Sequence, residues 1–231
     1  MIEILPALMP KNIGDIRGKL SFLFERTDMV QLDIMDGVYV PDVTWPYNGE
    51  DQQFLQDILD ENDGLPFWDQ VSFEFDLMIR NASAEMDMFI KLGATRIVFH
   101  PDGEDDPDAL FERLEALDPY IRDHTKMGIA LRANEPLSNI ERLLPLVDYV
   151  QCMGIETIGL QGEPFDPRVI EQIKEIKSRY PDMIVSVDGG MTIETAHQVL
   201  DAGADRLVVG SAIWKSIDPE EALKDFQHLV R

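Results

Sequence analysis

Eight short apolar runs rich in β-branched residues recur about every 25 to 30 positions, with amphipathic stretches between them. They cover residues 2–8, 29–35, 71–78, 96–100, 127–131, 149–153, 183–187 and 207–213. Most are continuous rather than alternating, the pattern of a parallel strand covered on both faces. Between them, residues 82–92, 108–117, 137–144, 167–179, 193–202 and 219–230 repeat apolar side chains every three or four positions, as helices do. Asp166-Pro167 and Asp218-Pro219 each predict an N-cap aspartate followed by proline in the first turn. Gly93 and Gly203 stand in the paired runs Gly-Ala-Thr-Arg and Gly-Ala-Asp-Arg, where a helix ends and a strand begins. Repeated βα units of this number close into a (β/α)₈ TIM barrel of the α/β class, and residues 1–231 are of a length that one such domain occupies. Residues 41–63 are long for a βα connection and predict either a lid or a solvated insertion.

A barrel of this kind carries its chemistry at the carboxyl ends of its strands. Those ends hold Ala7, Met9, Gln31, Asp33, Met35, Asp36, Asp76, Met78, His100, Met153, Asp188 and Gly210-Ser211. Asp33, Asp36, Asp76 and Asp188 would then share one mouth. Asp188-Gly189-Gly190 and Gly210-Ser211 each end an apolar run in glycine just before a helical pattern, which predicts a phosphate cradle of backbone N–H groups at helix starts. The chain has 44 acidic against 20 basic side chains, a formal net charge of −24, so its long-range field repels nucleic acid and anionic membrane surfaces. Phosphate must therefore be held by local N–H groups and not by overall charge. The single cysteine, Cys152, sits in an apolar run, which suits a core position and a reducing compartment. No stretch approaches the roughly 20 apolar residues of a membrane span, and the N-terminus has no signal-peptide pattern, so the expected location is cytoplasmic.

The runs Gln31-Leu-Asp33-Ile-Met35-Asp36-Gly37-Val-Tyr-Val-Pro41-Asp42, Asp76-Leu-Met78, Val98-Phe-His100-Pro101, Asp188-Gly189-Gly190 and Gly203-Ala-Asp…Gly210-Ser211-Ala-Ile213 together resemble the ribulose-phosphate 3-epimerase family. The resemblance implies a phosphorylated ketose as substrate, with ribulose 5-phosphate and xylulose 5-phosphate or a related sugar phosphate interconverted through an enediolate. Asp33 and Asp188 match the family's two catalytic aspartates, one acting as base while the other acts as acid. Met35, Met78 and Met153 match methionines that wall the family's pocket. A divalent metal held by the two aspartates and two histidines stabilises the family's enediolate. Gln31 and Asp76 stand where those histidines would be, and Ala7 stands where the family has serine. An all-oxygen set of Gln31, Asp33, Asp76 and Asp188 suits Mg²⁺ or Mn²⁺ better than Zn²⁺. Alternatively, Asp76 turns to a structural partner and leaves a metal-free pair.

The family's glycine-rich phosphate loop is replaced here by a segment in which Gly159 and Gly162 still offer N–H groups, while Glu156 and Glu163 add the wrong charge if they point inward. Two other readings stay open: a non-catalytic sugar-phosphate-binding homologue, and an aldolase- or decarboxylase-type barrel. The latter group's Asp-x-Lys-x-x-Asp motif begins like Asp76-Leu-Met78 but lacks the lysine and has Asn81 at its close. His100 is expected to bond loop backbone, Asp36 to organise the turn after it, and residues 102–108 to form a solvated acidic loop. Self-association as a homo-oligomer is left open.

Overall fold

The computed structural model describes residues 2–229. Its eight strands are hydrogen-bonded in sequence order into a closed barrel. The chain falls into two compact units, one of residues 8–127 and the other of the N-terminal strand to Ala7 with the residues from Gly128 onward.

The first unit carries β2 (Met29–Met35), β3 (Ser72–Met78) and β4 (Ala94–Phe99), with helices α1 (Ile13–Leu23), α2 (Gln52–Leu59), α3 (Ala82–Lys91), α4 (Ala109–Glu115) and α5 (Pro119–His124). In β2, Val30, Leu32 and Ile34 alternate with Gln31, Asp33 and Met35, and all six are buried. Parallel pairing in register sets Asp33 opposite Asp76 and Met35 opposite Met78. Neighbouring strands lie about 4.8 Å apart, so that register alone brings the two carboxylates side by side. Phe75 packs against Phe89 of α3, with ring centroids 5.2 Å apart.

The second unit carries β1 (Glu3–Leu8, whose last residue falls in the first unit), β5 (Lys126–Arg132, whose first two residues fall in the first unit), β6 (Tyr149–Met153), β7 (Ile184–Asp188) and β8 (Arg206–Val209). Its helices are α6 (Arg168–Arg179), α7 (Ile193–Asp201), α8 (Ser211–Trp214) and α9 (Pro219–His228). Register places Met153 opposite Asp188 and Asp188 opposite Val208. The expected αL turns are present, with φ of +89° at Gly93 and +110° at Gly203. Asp218 caps α9 by accepting from the amides of Glu220 and Glu221. Asp166 lies one residue farther out than expected, because Pro167 is the cap of α6, and its carboxylate binds the Arg168 side chain at 3.0 Å.

Several elements differ from the sequence expectation. The eighth strand stops at Val209 and residues 211–214 form α8, so its apolar continuation Ala212-Ile213 is helical. Residues 137–144 hold no α-helix; Leu137–Asn139 and Leu144–Leu146 are 3₁₀ turns, consistent with Pro136 and Pro145 punctuating the segment. The last expected helix ends at His228 among the described residues, and its expected final residue, Val230, lies outside them. Helices α1, α2 and α5 were not anticipated. The 41–63 segment is a largely solvated insertion with a buried anchor, since Thr44 and Trp45 are buried while most of the rest, including much of α2, is exposed or half-buried. Its Thr44 amide donates to Met35 O, and its Trp45 amide donates to Pro10 O. No described helix is long and apolar enough to cross a membrane.

Candidate functional site

At the end of β2 the site is assembled by short-range bonds. Gln31 Nε2 donates to Asp33 Oδ1 at 2.9 Å, tying two side chains that point to the same side of the strand. Thr44 Oγ1 donates to Asp33 O and accepts from the Met35 amide, both at 2.9 Å, so the end of β2 is clamped by the segment that follows it. Asp33 is 8 % exposed. On β3, Asp76 is fully buried and its Oδ1 lies 2.8 Å from His100 Nε2, just past the end of β4. His100 therefore bonds a site carboxylate, where the sequence predicted loop backbone. Met35 and Met78 are buried beside the two aspartates.

The loops above β2 to β4 are organised by the acidic residues around them. Asp36 Oδ1 accepts from the amides of Val38 and Tyr39, while its Oδ2 accepts from the Arg80 amide, which is the turn role expected of it. The 102–108 acidic run is not simply solvated. Asp102 accepts from Tyr39 OH at 2.5 Å, Glu104 is buried on Ser83, and Asp105 binds Arg80 and Asn81.

In the second unit, Asp188 ends β7 and its backbone carbonyl accepts from the Gly154 amide at 2.6 Å. The next two residues turn sharply, with φ of +97° at Gly189 and +68° at Gly190. A Cβ on Gly190 would stand 2.7 Å from Phe165 Cα, so both the conformation and the close approach require glycine. Thr192 and Thr195 form a reciprocal capping box at the start of α7. Gly210 caps the four-residue helix α8, whose first amides, Ser211 and Ala212, have no acceptor one turn back. Trp214 Nε1 donates to Ala7 O at 2.7 Å and ties α8 to β1. The segment holding Gly159 and Gly162 is anchored through Lys215 Nζ, which donates to Gln161 O at 3.0 Å. Glu156 is exposed, with Arg168 at 3.9 Å, and Glu163 is half-buried in the same segment. Met153 is buried at the end of β6. Burial also pushes the neighbouring Cys152 thiol up to about 12, consistent with a core role.

Asp33 and Asp76 of the first unit and Asp188 of the second are all carboxylates at strand ends. Carboxylate oxygens are the donors that hard divalent ions take, so the residue types suit such an ion. Gln31, expected as a fourth ligand through its carbonyl oxygen, presents its amide nitrogen to Asp33 Oδ1, a bond compatible with ligation by that oxygen.

Comparison with known proteins bears on the same residues. The family model described as the Ribulose-phosphate 3 epimerase family matches residues 3–214. The chain belongs to that family. It is 27% identical over 232 residues to the ribulose-phosphate 3-epimerase of Helicobacter pylori, covering 99% of this chain and 98% of the relative. It is 26% identical over 235 residues to that of Bacillus subtilis, covering 98% and 99%. A solved 3-hexulose-6-phosphate synthase superposes with a TM-score of 0.68 at 18% identity, covering 98% of this chain and 99% of that one. KGPDC from Streptococcus mutans superposes with a TM-score of 0.67 at 12% identity, covering 99% and 97%. At those identities the two structures attest the barrel fold.

Asp33 and Asp188, the acid/base pair that the resemblance implies, stand at the ends of β2 and β7, and Ala7, Gln31 and Asp76 are the positions at which the sequence reading departs from the family. The decarboxylase-type reading gains no support, because the lysine position of that motif is the buried apolar Met78. Three participants escaped the sequence reading: Thr44, Lys215 and the partnership of His100 with Asp76. None left a trace in the linear sequence; the last follows from the β3/β4 register, which pairs Asp76 with Val98, two residues before His100.

Proposed function

We propose that the chain is a ketose-phosphate 3-epimerase, interconverting ribulose 5-phosphate and xylulose 5-phosphate or a closely related pair, in the cytoplasm. The observation that carries this reading is the presence of both Asp33 and Asp188 at strand ends in a chain that matches the epimerase family over residues 3–214. One carboxylate takes the proton from C3, and the C–H electron pair moves toward C2 while the C2 carbonyl pair moves onto oxygen, giving the enediolate. The other aspartate, protonated, returns a proton to the opposite face of C3 as the carbonyl re-forms. The pair ends with its protonation exchanged, so the reverse reaction begins from the state the forward one leaves. Gln31 orients Asp33 through its N–H on Oδ1. Met35, Met78 and Met153 supply an uncharged wall that excludes water from the reacting carbons. The phosphate is assigned to backbone N–H groups at Gly189, Gly190, Gly210 and Ser211, with Gly159 and Gly162 in the loop alongside.

Asp33, Asp76 and Asp188 would hold a divalent metal, with Mg²⁺ or Mn²⁺ preferred over Zn²⁺ because every donor is oxygen. Such an ion supplies positive charge to the enediolate oxygens.

The test follows deuterium from heavy water into C3 of ribulose 5-phosphate and related ketose phosphates. Wild type is expected to exchange, and Asp33→Asn and Asp188→Asn are each expected to slow exchange by about 10²–10⁴-fold. Tight binding of the sugar phosphate without exchange by wild type would identify a binding protein instead.

A further inference from the structure

We infer that His100 is a positioning residue that holds Asp76 in place as a metal-ligating carboxylate, a role the chain needs because Asp76 stands where the family resemblance places a histidine ligand. The inference rests on the metal-binding part of the proposed function. Asp76 is fully buried, and in-register pairing sets Asp33 directly beside it on β2. Two adjacent buried carboxylates repel each other and swing apart unless each is held. Asp33 is held by Gln31 Nε2 at 2.9 Å, and Asp76 by His100 Nε2 at 2.8 Å. Each aspartate thus has an N–H donor of its own.

The histidine is built for this one contact. It is 1 % exposed, and its Nδ1 has no hydrogen-bond partner among the described residues. With the Asp76 carboxylate as acceptor, the ring hydrogen sits on Nε2. Tyr39 packs against the ring, with centroids 5.6 Å apart, and Tyr39 is in turn fixed by its hydroxyl on Asp102. The ring therefore has little freedom to leave Asp76. A carboxylate has two oxygens and about four lone-pair directions, so a bond at Oδ1 is compatible with ligation by the same group. Outer partners of this kind fix the direction of a ligating carboxylate and raise metal affinity.

The experiment measures Mn²⁺ alone binding to the whole chain, by titration calorimetry and by the loss of the free-ion resonance, with thermal denaturation as the folding control. His100→Phe keeps a ring and removes the donor; it is expected to weaken Mn²⁺ binding by roughly 10–100-fold, the usual cost of losing an outer-sphere partner. His100→Gln can carry an N–H to the place of Nε2 and is expected to recover most of the affinity. His100→Asn is one methylene too short and is expected to resemble the phenylalanine variant. A folded His100→Phe that binds Mn²⁺ like wild type overturns the inference. Should that variant not fold, equal affinities of the glutamine and asparagine variants overturn it. If wild type binds no Mn²⁺, this inference falls together with the metal site, while the deuterium-exchange result decides the epimerase reading separately.

Discussion

Single residues in this protein are constrained by backbone as much as by chemistry. Gly190 holds φ at +68° with Phe165 Cα where a side chain would begin, so Gly190→Ala carries both a left-handed penalty of roughly 1–2 kcal/mol and a displaced loop. The expected outcome is a lower melting temperature together with a raised KM for the phosphorylated substrate, because the turn that presents the assigned phosphate amides has moved. A raised KM with no change in kcat marks lost binding alone. Cys152 makes the opposite kind of residue-scale prediction. Its thiol is fully buried and pushed up to about 12, so the native protein is expected to resist thiol-labelling reagents at about pH 8 and to react at once when unfolded. Rapid native labelling would place Cys152 outside the core.

At the scale of elements, the clamp on β2 matters most for the site. Thr44 Oγ1 serves both the Asp33 carbonyl and the Met35 amide from a buried position. Thr44→Val keeps the shape and strands both backbone groups, which is expected to cost about 1–3 kcal/mol, read as a shift in denaturant midpoint. Because the lost bonds flank Asp33, turnover is expected to fall as well. The clamp could not be read from the sequence, since nothing local marks Trp45 as a buried residue or Thr44 as a strand cap. They become so only when the segment after β2 folds back over Pro10 and Met35. The strands were legible because their β-branched runs are buried on both faces and so read as unbroken apolar stretches. Helix α1 was hidden by Gly14 and Gly18, poor helix formers that depend on tertiary packing of Ile13, Ile16, Leu20 and Leu23. Helix α8 reads as strand in the sequence because Ala212 and Ile213 continue the apolar run beyond the glycine that ends β8. In the site, Asp33 and Asp188 were legible from their motifs, whereas the partner of Asp76 depends on inter-strand register, which a linear reading does not contain.

For the whole molecule, a formal net charge of −24 is a self-repulsion that the fold must carry. Raising NaCl from about 10 mM to about 200 mM shortens the Debye length from about 30 Å to under 10 Å, and the melting temperature is expected to rise across that range. A flat or falling trend would mean that local ion pairs such as Lys177–Asp205, at 2.6 Å, outweigh the global repulsion. Under the proposed function the same charge would leave sugar-phosphate capture to the short-range glycine turns, so affinity is expected to improve with salt until the anions compete. Trp214 is half-buried on α8, just after Gly210 and Ser211, with its indole N–H on Ala7 O, whereas Trp45 is fully buried and Trp68 lies exposed. With Trp68 replaced by phenylalanine, the red-shifted part of the emission is removed, and Trp214 becomes a built-in fluorophore one helical turn from the assigned phosphate cradle, able to report ligand arrival in real time without any label.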